Sequence, residues 1–303
     1  MSKKRSHAVT EQVLPFEQKT YELRQQLAKS ETDEERHALE KALAEELQAF
    51  EQNITPWQRV QLARHPNRPR MMDFVSRIFD DFVELHGDRG LGDDQAMVCG
   101  IGRFRGETVF IAGQQKGVTT DEKVRCNFGM AHPEGYRKAL RIYKLAERFG
   151  YPVVTFVDTP AAHPGIEAES HGQGSAIARN LLESFGLKTP ILSIILSEGG
   201  SGGALGIAVG DRIAMFANAI YVICPPERCA EILWRDVEKK EMAASALKIS
   251  APDLLNLGVI DTILPEADGG AHRNPDKVAQ SLSEEIALFL EGCKKGQWTL
   301  EKR

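Results

Sequence analysis

The segment ILSIILSEGGSGGALGIAV at positions 191–209 decides the fold. Its first seven residues form an apolar run without polar alternation, which predicts a strand buried on both faces. A glycine-rich turn follows, and the small residues after it predict a helix from about Gly203. A buried strand that passes through such a turn into a helix is typical of α/β proteins.

The same alternation of strand and helix extends on both sides of this segment. Strands are predicted at 97–104, 108–112, 152–158 and within 212–224, and helices at 175–185 and 275–290. The first two strands flank Arg105-Gly106-Glu107, which predicts a hairpin turn. We therefore predict an α/β fold whose sheet is covered on both faces.

The N-terminal part differs from the rest in composition. Residues 16–50 contain no Gly or Pro, are rich in Glu, Gln and Lys, and carry a narrow apolar stripe. Two amphipathic helices are predicted, the second starting at the capping-box sequence Thr32-Asp33-Glu34-Glu35. We predict a helical hairpin extension over 1–56 and an α/β domain over 57–303.

Composition and charge exclude several classes of protein. The chain has 303 residues, 42% of them hydrophobic and 27% charged, so it is neither a mini-protein nor a disordered chain. Its net charge of -5 gives no general attraction to nucleic acid or anionic lipid. Five cysteines without a CxxC pair predict no metal site. The absence of a long apolar run predicts a cytoplasmic protein that does not itself enter a membrane.

The glycine-rich turn is the strongest functional signal. The four glycines at 199, 200, 202 and 203 are expected to allow positive φ, close backbone approach and free amides at a helix N-terminus. Such amides form a preorganised oxyanion hole. A tight turn without chemistry is the simpler alternative. A serine hydrolase is another, because Gly199 to Gly203 match G-x-S-x-G around Ser201, and Asp211 and His272 follow in the right order.

Two further polar segments accompany this turn. Thr159, Pro160 and Gly165 follow the strand at 152–158, and Gly172 and Gln173 precede the next helix, so both segments are candidates to line the same cleft. Lys116 lies beside a glycine where a strand ends, which is compatible with a phosphate-bearing ligand and equally with a solvated polar face. A third segment, 63–70, has three arginines and two prolines in eight residues and is a candidate anion-contacting arm.

Between about residues 57 and 276, and through the helical N-terminus, the sequence resembles the carboxyltransferase alpha subunit of bacterial multisubunit acetyl-coenzyme A carboxylase. The blocks that carry the resemblance are QLARHPNRP at 61–69, ELHGDR at 84–89, NFGM at 127–130, PEGYRKALR at 133–141, FVDTP at 156–160, AIARNL at 176–181, EGGSGGALGIAVGD at 198–211, CAEILW at 229–234 and GGAHRNP at 269–275. The resemblance implies a crotonase-like (ClpP/crotonase) fold of repeated ββα units with an N-terminal helical extension.

The resemblance also implies an activity. The carboxyl group of carboxybiotin, carried by a biotin carboxyl carrier protein, would be transferred to acetyl-CoA to give malonyl-CoA for fatty acid synthesis. Gly202 and Gly203 would supply the oxyanion hole for the ureido oxygen of biotin, with Ser201 as a turn residue. A zinc-bearing beta subunit, biotin carboxylase and an assembly of two alpha and two beta chains are implied as partners.

The chain departs from the usual family pattern at six positions near the expected cleft. These are Gln114, Ala161, His163, Ser170, His171 and Arg228. They leave open a specialised paralogue with another acyl-CoA. A biotin-dependent acyl-CoA decarboxylase also stays open, because it would use the same oxyanion holes in reverse. The intact Gly202-Gly203 pair argues against a non-catalytic scaffold.

Overall fold

A computed structural model describes residues 12–303. The helices are α1 (Gln18–Lys29), α2 (Asp33–Asn53), α3 (Pro56–Ala63), α4 (Met71–Ile78), α5 (Thr120–Arg125), α6 (Pro133–Phe149), α7 (Ile166–Ser170), α8 (Gln173–Gly186), α9 (Ser201–Ala208), α10 (Pro226–Trp234), α11 (Lys240–Ala246), α12 (Ala251–Asn256) and α13 (Pro275–Lys294). The strands are β1 (Asp80–Glu84), β2 (Met97–Phe104), β3 (Glu107–Gln114), β4 (Val153–Thr159), β5 (Ile191–Gly200), β6 (Arg212–Phe216), β7 (Ile220–Val222) and β8 (Thr262–Leu264).

The strands form one mixed sheet in the order β1-β2-β3-β4-β5-β6-β8, with β7 paired to β5. The pairs β1–β2 and β2–β3 are antiparallel, whereas β3–β4, β4–β5, β5–β6, β5–β7 and β6–β8 are parallel. Because parallel strands all end at one edge, the loops that follow β3, β4 and β5 lie side by side. In α/β sheets this edge is the usual place of a ligand site.

The core forms where the apolar runs predict it. Every residue of β4 and β5 is buried, which agrees with runs that lack polar alternation. Helix α6 turns Tyr136, Ala139 and Tyr143 toward the sheet and ends at Gly150, whose φ of 72° suits glycine. Helix α9 packs on β4 and β5. These contacts fix the position of α9 on the sheet.

The strands and helices predicted from the sequence are confirmed, with shifts at their ends. Strand β5 continues through Glu198 to Gly200, three residues past its apolar run, because it also pairs with β7 there. The predicted β-rich stretch at 212–224 divides into β6 and β7. Within residues 12–303, the helices are all too short or too polar to cross a membrane.

The N-terminal helices form the predicted hairpin and contact the α/β body. Phe16 stacks on Phe50 with 5.8 Å between the ring centroids, and Thr32 caps α2 by accepting a hydrogen bond from the amide of Glu35. Arg24 donates to the carbonyl of Asp268 at 2.9 Å. The apolar stripe is thus covered partly within the hairpin. The division at residue 56 stays a prediction.

Candidate functional site

The loops after β4 and β5 meet over the first turn of α9. Thr159 pairs with Gly199 at the end of the two strands. A side chain on Gly200 would overlap the carbonyl of Pro160, and one on Gly203 would overlap the backbone of Ala161 and Ala162. The two predicted segments are therefore in contact, and this contact leaves no space for a Cβ atom.

The expectation that these glycines adopt positive φ is wrong. Gly199, Gly200, Gly202 and Gly203 all have ordinary φ values, and Ser201 alone in this turn has a positive one, 51°. The glycines serve close approach instead: a Cβ on Gly199 would lie 2.7 Å from the ring of Tyr221. Of the four, only Gly202 has open space, since a Cβ added there would lie 3.9 Å from Ile177. The left-handed backbone conformation in this turn is therefore adopted by Ser201 and not by a glycine.

Side chains from β3 and α6 hold the first turn of α9 through hydrogen bonds to its backbone. The carbonyl of Gly203 accepts hydrogen bonds from Gln114 Nε2 at 2.8 Å and from the hydroxyl of Tyr136 at 3.1 Å. No side chain among residues 12–303 caps the N-terminus of this helix. Helix N-terminal amides lack partners within the helix. That the amides of Gly202 and Gly203 donate to a ligand oxygen stays a prediction.

Beside this turn lies a buried group of charges, Arg64, Lys116, Asp158 and Glu198, which we call the charge cluster. Lys116 Nζ lies 2.8 Å from Asp158 Oδ1 and 2.6 Å from Glu198 Oε2. Arg64 Nε donates to Glu198 Oε1 at 2.6 Å. Burial alone would raise the pKa of Glu198, but Lys116 and Arg64 lower it to about 2. The cluster ties the ends of β4 and β5 together.

Two basic residues expected to contact ligands are bonded within the chain. The ammonium of Lys116, predicted to bind substrate or cofactor, is bonded to two carboxylates, so its contact with a ligand stays a prediction. Arg68 in the arginine-rich arm is likewise bound. Its guanidinium donates to both oxygens of Glu266, at 2.7 and 2.9 Å, and to the carbonyl of Leu196. Together these bonds fasten the arm across β5.

The remaining predicted residues, Gln173, Gly172 and Gly165, lie in the loop after β4 and at the start of α8. Gln173 donates to the carbonyls of Ala131 and His163 at 2.8 and 3.0 Å, which holds the loop after β4 against α8. Gly172, at the start of α8, has φ of 83°, and Gly165 donates its amide to His163 Nδ1. These residues shape the loop.

Five of the six unusual residues occupy this neighbourhood. Gln114 contacts Gly203, and Ala161 faces it through its backbone. His163 stacks on His132 with 4.0 Å between centroids, and His171 Nδ1 lies 2.9 Å from Glu134. Ser170 adjoins His171 at the end of α7. Arg228 pairs with Glu231 at 2.6 Å on the exposed face of α10.

The serine hydrolase alternative is wrong, because the structure does not assemble a triad. His272 Nε2 bonds to Glu17 Oε1 at 2.8 Å and its ring stacks on His65. Asp211 is paired with Arg303. Within residues 12–303 no hydrogen bond joins Ser201 to either residue. The order of the three residues along the chain matches the motif, but in the fold His272 lies against Glu17, at the start of the N-terminal hairpin.

Sequence reasoning missed a cluster that the fold builds from distant residues. Glu17, His65 and His272 bring potential metal-ligand atoms within 4.8 Å of one another. His272 is bonded to Glu17, and His65 Nε2 lies 2.9 Å from the carbonyl of Gln12. These bonds connect the hairpin to the body. The absence of a metal stays a prediction.

The comparisons with known proteins identify the family. The family model described as acetyl co-enzyme A carboxylase carboxyltransferase-like matches residues 7–301. The chain belongs to this family. It is 51% identical over 256 residues to the acetyl-coenzyme A carboxylase carboxyl transferase subunit alpha of Thermus thermophilus, covering 84% of this chain and 82% of that one. The subunit of the same name from a Cyanothece species is 56% identical over 237 residues, 78% and 73% of the two chains.

Solved structures of two carboxylating enzymes share the fold of this chain. The beta subunit of geranyl-CoA carboxylase from P. aeruginosa superimposes with a TM-score of 0.60 at 15% identity, over 82% of this chain and 46% of that one. Transcarboxylase 12S superimposes with a TM-score of 0.57 at 20% sequence identity, and the match covers 73% of this chain and 42% of that one. The alpha chain thus spans less than half of each neighbour. The predicted crotonase-like fold is confirmed.

Proposed function

We propose that the chain transfers the carboxyl group of carboxybiotin, borne on a biotin carboxyl carrier protein, to acetyl-CoA, giving malonyl-CoA. The observation that carries the proposal is the N-terminus of α9, which no side chain among residues 12–303 caps. Its first turn is fixed by the packing of Gly200 on Pro160 and of Gly203 on Ala161 and Ala162. Backbone amides at such an N-terminus stabilise negative charge that develops on an oxygen.

Each group in the loop has a separate role. Carboxybiotin supplies the carboxyl group: its N1′–carboxyl bond breaks, and negative charge develops on the ureido oxygen. The ureido anion removes a proton from the methyl group of acetyl-CoA, and the resulting enolate carbon forms the new bond to the carboxyl carbon. The amides of Gly202 and Gly203 donate hydrogen bonds to the ureido oxygen, while Gly199 and Gly200 permit the approach of the neighbouring loop. Ser201 forms the bend. Thr159, Pro160, Gly165, Gly172, Gln173 and Lys116 line or shape the cleft.

The chain is proposed to act with partners in the cytoplasm. A zinc-bearing beta subunit would supply the second oxyanion hole, for the thioester, and biotin carboxylase would recharge the carrier, in an assembly of two alpha and two beta chains. Exposed apolar side chains support a protein partner: Leu182 and Phe185 on α8, and Ile232 and Leu233 on α10, are each more than half exposed.

The test is reconstitution. The purified chain alone should form no malonyl-CoA from acetyl-CoA and carboxylated carrier, because one of the two holes is missing. Addition of the beta subunit should start the reaction. Malonyl-CoA formation by the chain alone would contradict the proposed division of the site, and an inactive, correctly assembled complex would contradict the activity.

A specialised paralogue is the second candidate, favoured by His163 in the loop after β4, where the family usually has tyrosine. The assembled complex should be assayed with acetyl-CoA, propionyl-CoA and longer acyl-CoA thioesters. We expect the highest kcat/KM with acetyl-CoA. A preference for another thioester that His163→Tyr reverses would establish the paralogue.

A further inference from the structure

A cavity opens beside Pro160, in the loop that follows β4. It has a volume of about 240 Å³ and is lined by Arg64, Arg70, Lys116 and Lys123. It lies at the carboxyl ends of β3, β4 and β5. Pro160 forms part of its wall, and the carbonyl of the same residue lies against Gly200. The cavity therefore adjoins the proposed oxyanion hole.

Arg70 is the unusual member of this lining. It is 5% exposed, yet its guanidinium makes no hydrogen bond to any of residues 12–303. The nearest carboxylate oxygen, Asp158 Oδ2, lies 3.5 Å from Nη1, and neither atom has a hydrogen-bond partner. The backbone is fixed at the start of α4, where Asp73 accepts from the amide of Arg70 at 2.8 Å. Buried polar groups are nearly always bonded, so the buried Nη1 of Arg70 calls for an acceptor.

The charges around the cavity favour one small anion. The positive groups are Arg64, Arg70, Lys116 and Lys123, and the carboxylates bonded to them are Asp158, Glu198 and Glu227. Four positive charges against three negative ones leave a balance of +1. Lys123 is half-buried and has no ion pair among residues 12–303. The cavity has room for a carboxylate together with part of the molecule that carries it, and the guanidinium fork matches a carboxylate.

We propose that this cavity is a carboxylate subsite in which Arg70 and Lys123 bind the carboxyl group that is transferred. The proposal rests on the function proposed above. The carboxylate has two sources, carboxybiotin before transfer and the malonyl product after it, whereas acetyl-CoA carries none. The subsite would therefore distinguish carboxylated from uncarboxylated ligands next to Gly202 and Gly203.

The test uses the complex of alpha and beta chains with Arg70→Gln. In the reverse reaction we expect the KM for malonyl-CoA to rise at least tenfold, and in the forward reaction the KM for the carboxylated carrier to rise similarly, since a charge-assisted contact is lost. A rise in one constant alone assigns the subsite to that source. The inhibition constant of acetyl-CoA should stay within twofold. Arg70→Lys should restore part of the binding.

Arg77→Gln is the matched control, because Arg77 lies on the same helix but is exposed and pairs with Asp276. All constants of this variant should match the wild type. If Arg70→Gln does not fold, Lys123→Gln decides, and we expect a severalfold rise in the same constants. Unchanged constants for both carboxylated ligands in a folded variant would overturn the subsite. A wild-type complex that makes no malonyl-CoA would instead overturn the proposed function.

Discussion

The glycine turn at 199–203 and the charge cluster beside it occupy the same edge of the sheet but are built in opposite ways. In the turn, backbone packs on backbone, and a Cβ on Gly200 or Gly203 would overlap the loop after β4. In the charge cluster, long side chains such as Lys116 bridge the same two strands through ion pairs. The turn is therefore sensitive to added atoms, and the cluster is sensitive to removed ones.

Adding atoms to the turn should have the largest effect. Gly203→Val places a branched side chain against Ala161 and Ala162 and displaces the loop or the helix. We expect turnover of the assembled complex to fall by about a hundredfold or more, the usual loss when one oxyanion donor is removed. Gly202→Ala is the control, because its Cβ would meet only Ile177 at 3.9 Å. Near-normal turnover of an assembled Gly203→Val complex would place the hole elsewhere.

Removing a charge from the cluster should act on stability. Lys116→Met leaves the buried carboxylates of Asp158 and Glu198 without their shared cation. We expect the free energy of unfolding to fall by about 3 kcal/mol. Lys144→Met, which breaks the exposed pair with Glu183, should cost less than about 1 kcal/mol. Urea denaturation measures both variants, and equal losses would show that burial does not distinguish the two pairs.

The cluster should also respond to pH, which the turn cannot do. The pKa of Glu198 is lowered to about 2 in the folded chain. Its contribution to stability is therefore complete above the ordinary value of 4.5 and is lost as the pH falls toward 2. In the wild type the free energy of unfolding should fall between about pH 5 and pH 3. In Glu198→Gln this fall should be smaller by about 1 kcal/mol or more. The exposed Glu45→Gln should leave the decline unchanged, and a decline of wild-type steepness in Glu198→Gln would assign it to other groups.

Removing a side chain from the turn should have the smallest effect. Ser201→Ala keeps the backbone that the proposed transfer uses, so we expect activity within about tenfold of the wild type. A fluorophosphonate probe should not label the wild-type chain, since no histidine among residues 12–303 is bonded to the hydroxyl. Ser201→Gly relieves the positive φ of 51° and is the control for strain. Covalent labelling at Ser201 together with abolished activity would contradict a role limited to the backbone.

The sequence predicts the turn far better than the cluster. Buried strands and their following helices produce local patterns, so β4, β5, α8 and α9 could be located from a few adjacent residues. Arg64 and Glu198 are 134 positions apart, and no local pattern records that they meet. The positive φ at Ser201 escaped prediction because glycine tolerates it best. His272 satisfied the order of a triad motif, but order along a chain does not fix distance in space.

Helix α9 has one further property that follows from its packing. Gly203 and Gly206 bring its flank against a neighbouring loop and against the ring of Tyr136, while no side chain in the described part of the chain caps its N-terminus. Amide hydrogens at the N-terminus of α9 should exchange with solvent deuterium faster than the amides of the sheet on which the helix packs. A bound oxygen acceptor would slow them without any movement of the backbone. Exchange at Gly202 and Gly203 would then report occupancy of the site in the absence of turnover.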